Sequence, residues 1–210
     1  MSVEPWSDEP TLLVHGYMDT TYTPWWGMLR KYLRRMGCSS SHIYSINDGS
    51  IPGTGIGSPR KYAGKIGETV EEIHDRHGAE VNIIAHSMGG LKSRWFIEHM
   101  DGASHVDDLV TLSTPHQGTK MALLGLFSKG GREMRPGSDF IQQLNDGGLA
   151  SDVGYTAVKS TLDPAVRPHT GAELPGTGDH GDARNLKAGA YSHIEMVARR
   201  SVFNTYRRFL

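Results

Sequence analysis

The stretch Val81-Asn82-Ile83-Ile84-Ala85-His86-Ser87-Met88-Gly89-Gly90 decides the fold. Its first five residues are apolar apart from Asn82, as in a strand buried on both faces. Leu91, Trp95, Phe96 and Met100 then recur at helical spacing. A serine at such a strand-to-helix turn has its Oγ pushed out above the sheet, and the residues two before and two after it must be small. Ala85 and Gly89 meet that requirement, in an Ala variant of Gly-x-Ser-x-Gly. Ser87 is therefore the candidate nucleophile. Serine also commonly caps helices, so the turn alone does not separate a nucleophile from a cap.

Toward the N-terminus, Thr11-Leu12-Leu13-Val14-His15 is a short apolar run stopped by Gly16, which predicts a buried strand ending in a turn. Trp25, Met28, Leu29, Tyr32, Leu33 and Met36 mark an amphipathic helix closed by Gly37. His42 to Ile46 reads as a strand, and Tyr62, Ala63, Ile66, Val70 and Ile73 as a helix ending near Gly78. Beyond the serine, Val106 to Leu112 is the next strand. Thr114 to Asp152 is loop-rich, with Phe140 to Leu144 its firmest helical turn. Tyr155 to Ser160 and Asn185 to Ala190 fit the last two strands, and Ile194, Val197, Ala198, Val202, Tyr206 and Phe209 stripe a final helix. Strands alternating with helices predict a mostly parallel sheet of about six strands with helices on both faces. No repeat or linker divides the chain, so 1-210 is expected to form one domain, with 114-152 a lid or cap segment or else helix packed on the core.

In an open parallel sheet the chemistry gathers at the carboxyl ends of the strands. A nucleophilic serine needs a histidine base and an acid that orients it, arriving in the order serine, acid, histidine, each after its own strand. Asp163 follows Tyr155 to Ser160, and His193 follows Asn185 to Ala190. The rivals are Asp152, Glu173 and Asp179 for the acid and His169 and His180 for the base; neither histidine follows a predicted strand. The oxyanion of an acyl-transfer intermediate needs two donors, and the expected pair is the backbone N–H of Met88 and that of Tyr17, in the turn His15-Gly16-Tyr17-Met18. Trp25 and Trp26 are candidates for core, acyl-pocket wall or both, and His116 is a candidate substrate-binding residue.

Composition narrows the partners. Lys plus Arg number 22 against 23 Asp plus Glu, with no long block of either sign, so no nucleic-acid or anionic-lipid patch is expected. Cys38 is the single cysteine and forms no disulfide within the chain. No window approaches the ~20 apolar residues of a membrane span, and Met1 to Pro10 has no basic start, apolar stretch or small-residue cleavage site. Gly53-Thr54-Gly55-Ile56-Gly57 lacks the third glycine of a dinucleotide loop and is read as a flexible loop. Asp179, His180 and Asp182 have the composition of a cation site but lie in a Gly-rich loop, where solvation accounts for them; no metal and no cofactor is expected.

With these residues placed, the sequence resembles bacterial lipases and esterases, especially the small Bacillus-type lipases described as minimal α/β hydrolases. Ala85-His86-Ser87-Met88-Gly89-Gly90 is similar to that group's nucleophile motif, its Ala included, and Asp182-Ala183-Arg184-Asn185 to its C-terminal stretch. The resemblance runs from about Thr11 to the C-terminus. It implies a three-layer α/β-hydrolase fold, cofactor-free carboxylic-ester hydrolysis through an acyl-enzyme, an acyl-ester or lipid substrate, at most transient contact with a lipid interface, a monomer, and secretion; the chain's start shows no leader, which leaves a cytoplasmic place open. Two departures stand out. Ser113-Thr114-Pro115-His116-Gln117-Gly118-Thr119 is similar to a segment of larger lipases, and the stretch to Asp152, with Met121, Leu123, Leu124, Leu126 and Phe127, is longer than in minimal members. An acyltransferase or perhydrolase uses the same triad. A non-catalytic binding protein of the same fold has no chemical need of all three members.

Overall fold

The computed structural model describes residues 9–47, 55–125, 127–178 and 180–210, with backbone alone at 123–125. Six strands, β1 (Thr11–Val14), β2 (Ile43–Ile46), β3 (Asn82–His86), β4 (Asp108–Leu112), β5 (Gly154–Ser160) and β6 (Ala183–Gly189), form one sheet in the order β2-β1-β3-β4-β5-β6. Every pair is parallel. Among the described residues, seven α-helices connect and flank them: α1 (Pro24–Met36), α2 (Pro59–His77), α3 (Met88–His99), α4 (Lys129–Glu133), α5 (Asp139–Asp146), α6 (Glu195–Ala198) and α7 (Arg200–Tyr206). None of the described helices is long and apolar enough to cross a membrane.

The three layers follow from the two-residue period of a strand, which sends alternate side chains to opposite faces. Leu12, Val14, Ile83, Ala85, Leu109, Tyr155 and Ala157 pack on one face with Ile66, Val70 and Ile73 of α2 and Phe96 and Ile97 of α3. Their neighbours Leu13, Ile84, Val110 and Val158 pack on the other with Trp26, Leu29 and Leu33 of α1 and Val202, Phe203 and Tyr206 of α7. Both faces are covered, so central strands carry apolar residues at consecutive positions rather than in alternation. Truncating one of these fully buried leucines to alanine removes about 2–5 kcal/mol.

The helix ends obey local chemistry. Pro occupies the first turn of α1 and of α2, where no N–H is needed, and Gly37 and Gly78 close them in left-handed conformation. The 114–152 segment is more structured than its composition predicts. It contains a 3-10 turn (Lys120–Gly125), α4 and α5, and Ala122, Met134, Phe140, Ile141 and Leu144 form a third cluster with Met88 and Leu91 of α3. Of the apolar row expected there, Met121 is exposed and Phe127 wholly so, and Leu126 lies outside the described residues. The final helix is also two: extended backbone at Arg199 separates α6 from α7.

The tightest packing joins β1 to the start of α3. A Cβ on Gly89 would lie 2.6 Å from the carbonyl oxygen of Val14 and 2.8 Å from that of His15. These are backbone atoms of a central strand, with little room to yield. Gly89→Ala is accordingly expected to cost about 1–3 kcal/mol by overpacking and to lower Tm by roughly 2–12 °C in a chain of this size. A calorimetric Tm within a degree of the parent would show that β1 and α3 are not in this contact.

Candidate active site

Ser87 stands at the turn between β3 and α3 with φ 56° and ψ −128°, a left-handed backbone that a non-glycine residue adopts only under constraint. The constraint is visible. The Ser87 N–H donates to the Leu112 carbonyl at the end of β4 (3.0 Å), and the Gly90 N–H donates back to the Ser87 carbonyl (3.2 Å). A Cβ on Gly16 would fall 2.6 Å from Ser87 Cβ, and one on Gly90 would fall 2.3 Å from Thr114 Oγ1. Three glycines thus let the turn sit between the ends of β1 and β4.

The two expected oxyanion donors lie beside this serine. Met88 is the first residue of α3, where a backbone N–H has no partner within the helix, and Tyr17 follows Gly16. Among the described residues neither N–H is hydrogen-bonded. The positive end of the α3 dipole points to the same place. The β1 turn is fixed from below: the buried Lys92 ammonium donates to the His15 carbonyl (3.3 Å), and His15 Nδ1–H donates to the Gly16 carbonyl (2.9 Å). The Tyr17 hydroxyl is hydrogen-bonded to Ser128, which caps α4 by accepting from the Gly131 N–H.

Asp163 and His193, thirty positions apart in sequence, are brought together at 2.7 Å between Oδ2 and Nδ1. The carboxylate is buried, and its other oxygen accepts from the Ala165 N–H at 2.8 Å. Burial alone would raise its pKa; the hydrogen bond and charge of His193 and the Ala165 N–H outweigh it and hold Asp163 below the usual carboxylate value. A carboxylate only accepts, so Nδ1 of His193 carries the proton and Nε2 is left as the basic nitrogen. The ring of His86, the last residue of β3, lies 4.4 Å from that of His193. Burial, then the nearness of His193, lowers its pKa to about 3.

Ser87 and His193 open into one cavity of about 450 Å³ whose walls include Met18, Met121, Ala122, Met134 and Val166 and, among the described residues, no Asp, Glu, Lys or Arg side chain. Its far wall, 115–122, is bonded to the loop that follows Asp163. Thr119 Oγ1 donates to the Ala165 carbonyl and accepts from the Arg167 N–H, and the N–H groups of Gln117 and Lys120 donate to the carbonyls of Gly171 and Arg167.

Three expected substrate contacts lie elsewhere. Trp26 is fully buried under α1, and the indole N–H groups of Trp25 and Trp26 both donate to Asp19 (3.3 and 3.0 Å); neither ring reaches the cavity. His116 is also fully buried. Its Nε2 pairs with Thr111 Oγ1 at 2.9 Å, its Nδ1 faces Arg94 at 3.5 Å, and its carbonyl accepts from Asn145. Arg94 donates and never accepts, so His116 is neutral with Nε2 protonated, and burial and Arg94 hold its pKa well below normal. It ties β4 to α3 and α5. Of the candidate cation ligands, His180 has both ring nitrogens engaged, Nε2 with the Ala150 carbonyl and Nδ1 with the Asp182 N–H, and Asp179 lies outside the described residues. Of the rival acids and bases, Asp152, Glu173, His169 and His180 do not line the cavity. The apolar wall residues Met18, Met134 and Val166 were not foreseen, because nothing in the sequence shows which loop faces Ser87.

Residues 10–153 match the family described as palmitoyl protein thioesterase, a span that holds Ser87 and both expected oxyanion donors but ends before Asp163 and His193. Over 112 residues, half of this chain, the sequence is 31% identical to triacylglycerol lipase 2 of Saccharomyces cerevisiae, and the matched segment spans 32% of that relative's length. Among solved structures, the mature form of Bacillus licheniformis lipase BlEst2 superposes with a TM-score of 0.79 at 17% identity, covering all of this chain and 95% of that one. Aspergillus fumigatus lipase B gives 0.75 at 20% identity, covering 90% of this chain and 49% of that one. A monoacylglycerol lipase of Paleococcus ferrophilus gives 0.69 at 15%, covering 96% and 93%. These likenesses are of fold, and they bear out the three-layer α/β-hydrolase architecture.

The electrostatics make the acid limb of Ser87 reactivity a one-proton event. With His193 as the expected base, its protonation removes that base and reactivity falls as pH falls. Asp163, with its lowered pKa, stays ionised through that range, and His86 takes a proton only near pH 3. The logarithm of the second-order rate of fluorophosphonate labelling at Ser87 is therefore expected to fall with unit slope on the acid side. A slope of two would show that a second group titrates with the base, and a profile with no acid limb would remove His193 from this role.

Proposed function

The chain belongs to the palmitoyl protein thioesterase family, and from that premise we propose that it is a serine hydrolase that cleaves carboxylic acyl esters through a covalent Ser87 acyl-enzyme. The observation that carries this reading is the 2.7 Å contact of Asp163 with His193 Nδ1, which leaves Nε2 unprotonated in the apolar cavity that Ser87 also lines. His193 takes the proton of Ser87 as Oγ bonds to the acyl carbon. The negative oxygen so formed accepts from the N–H groups of Tyr17 and Met88. Collapse breaks the bond to the leaving alkoxide, which takes the proton from His193. A water then repeats the sequence on the acyl-enzyme, giving the free acid and regenerating Ser87. Asp163 holds the tautomer and stabilises the transient imidazolium.

The apolar cavity wall suits an aliphatic acyl chain, and the likeness to a yeast triacylglycerol lipase supports an acyl-ester substrate. The 114–152 segment acts in this reading as a fixed wall of the acyl site within a single 1-210 domain, because Thr119, Gln117 and Lys120 tie it to the loop after Asp163. Thioester hydrolysis is a second reading, favoured by the family description; it uses the same acyl-enzyme with a thiolate leaving group that needs no protonation to depart.

Ser87→Ala is expected to lower turnover of p-nitrophenyl butyrate by at least about 10³-fold. Each methylene added to the acyl chain contributes about 0.8 kcal/mol while it is buried, so kcat/KM should rise roughly fourfold per carbon until the cavity is full. Matched acyl esters and S-acyl thioesters assayed together separate the two readings. Intact turnover by Ser87→Ala would contradict both.

A further inference from the structure

His86 occupies the position before the candidate nucleophile and takes no part in the chemistry just described, yet it is 3% exposed and packed between the site and the core. Its Nε2 lies 3.0 Å from the backbone carbonyl oxygen of His193. A carbonyl only accepts, so Nε2 carries the proton and Nδ1 is bare. Nδ1 is buried and, among the described residues, has no hydrogen-bond partner. A second proton there would be a buried charge with no acceptor, which such a site strongly disfavours. The ring stands at 47° to the His193 ring with centroids 4.4 Å apart, and its centroid lies 6.4 Å from that of Trp26 at an interplanar angle of 76°. The titratable groups facing it are His193, Asp163 and His15.

We propose that His86 is a positioning residue: a permanently neutral imidazole that clamps the main chain of His193 through Nε2–H and backs its ring, so that the base meets Ser87 in register. His193 lies in a loop between β6 and α6. Asp163 holds only the tip of its side chain, and Ser160 Oγ ties the main chain at Tyr191, two residues earlier, so the main chain at His193 itself needs a point of its own. His86 supplies that point from the end of β3, the same strand that presents Ser87, so base and nucleophile are referenced to one rigid element. Neutrality matters because His193 becomes a cation during turnover, and a charged neighbour at 4.4 Å would oppose it. The proposal rests on the reading of Ser87 and His193 given above.

The test compares His86→Gln and His86→Leu, with Ser87→Ala alongside. The glutamine side-chain amide places a donor near the position of Nε2, whereas leucine fills the space without one. His86→Leu is expected to lower kcat roughly 10- to 100-fold, as misplacement of a reacting group does, with KM on a soluble ester within about twofold and native circular dichroism. His86→Gln should recover most of that loss. A folded His86→Leu with the parent kcat, or a His86→Gln as slow as His86→Leu, overturns the proposal while leaving the triad intact; activity in Ser87→Ala overturns the triad itself. Should His86→Leu fail to fold, long-range 15N correlation spectra of the parent decide: an Nε2–H tautomer at His86 that persists from roughly pH 5 to 8 supports the proposal. An Nδ1–H tautomer, or titration in that range, refutes it.

Discussion

The structure turns on one close approach, in which the backbone of the β3–α3 turn meets the end of β1 with no side chain between them. Gly89 lies against the carbonyls of Val14 and His15, and Gly16 lies against Ser87. The Gly89 contact is with backbone carbonyls and the Gly16 contact is with the Ser87 Cβ, whose place the main chain fixes, so both follow from the parallel register of β1 and β3. Ser87 then has no ordinary conformation available and adopts φ 56°, which lifts its hydroxyl above the sheet. The same approach brings Tyr17, which follows Gly16, and Met88, the first residue of α3, next to Ser87. The backbone of Ser87 and the placement of the proposed nucleophile thus share a single cause.

Around this contact the rest of the chain acts as support. β4 takes the Ser87 N–H and carries Thr111, through which His116 and Arg94 bind the following segment to α3. Arg94 itself is buried with a double hydrogen bond to Glu98 at 2.8 and 2.9 Å, a pair whose loss would leave an uncompensated interior charge. β5 and β6 deliver Asp163 and His193 from adjacent strands, so that residues remote in sequence meet without a long excursion of either loop. The 114–152 segment, bonded to the loop after Asp163, supplies part of the wall of the cavity at Ser87.

Much of this is legible in the sequence because it rests on short-range patterns. Consecutive apolar residues mark Val81 to Ala85, helical spacing marks α1 and α2, and the order Ser87, Asp163, His193 is itself the signature of the mechanism. Strand order is not legible, since β1 pairs with both β2 and β3 and nothing local distinguishes those neighbours. The misplaced residues fail for the same reason. Trp25, Trp26 and His116 have the chemistry of pocket walls, but which face an aromatic side chain meets is decided by tertiary packing, here by Asp19, Thr111 and Arg94. The short helix α4 is obscured by Gly130 and Gly131, poor helix formers; Ser128 and Ser138, which cap α4 and α5 by accepting from Gly131 and Ile141, were the readable start signals.

In the proposed reaction a covalent acyl group passes through Ser87, which shares its cavity with His193. Acid-quenching the protein during steady-state turnover of an activated ester and mapping its peptides by mass spectrometry tests this most directly. The acyl mass is predicted on the peptide containing Ser87 and on no other. Ongoing turnover with no acyl group on that peptide, or with one on a different residue, would contradict it.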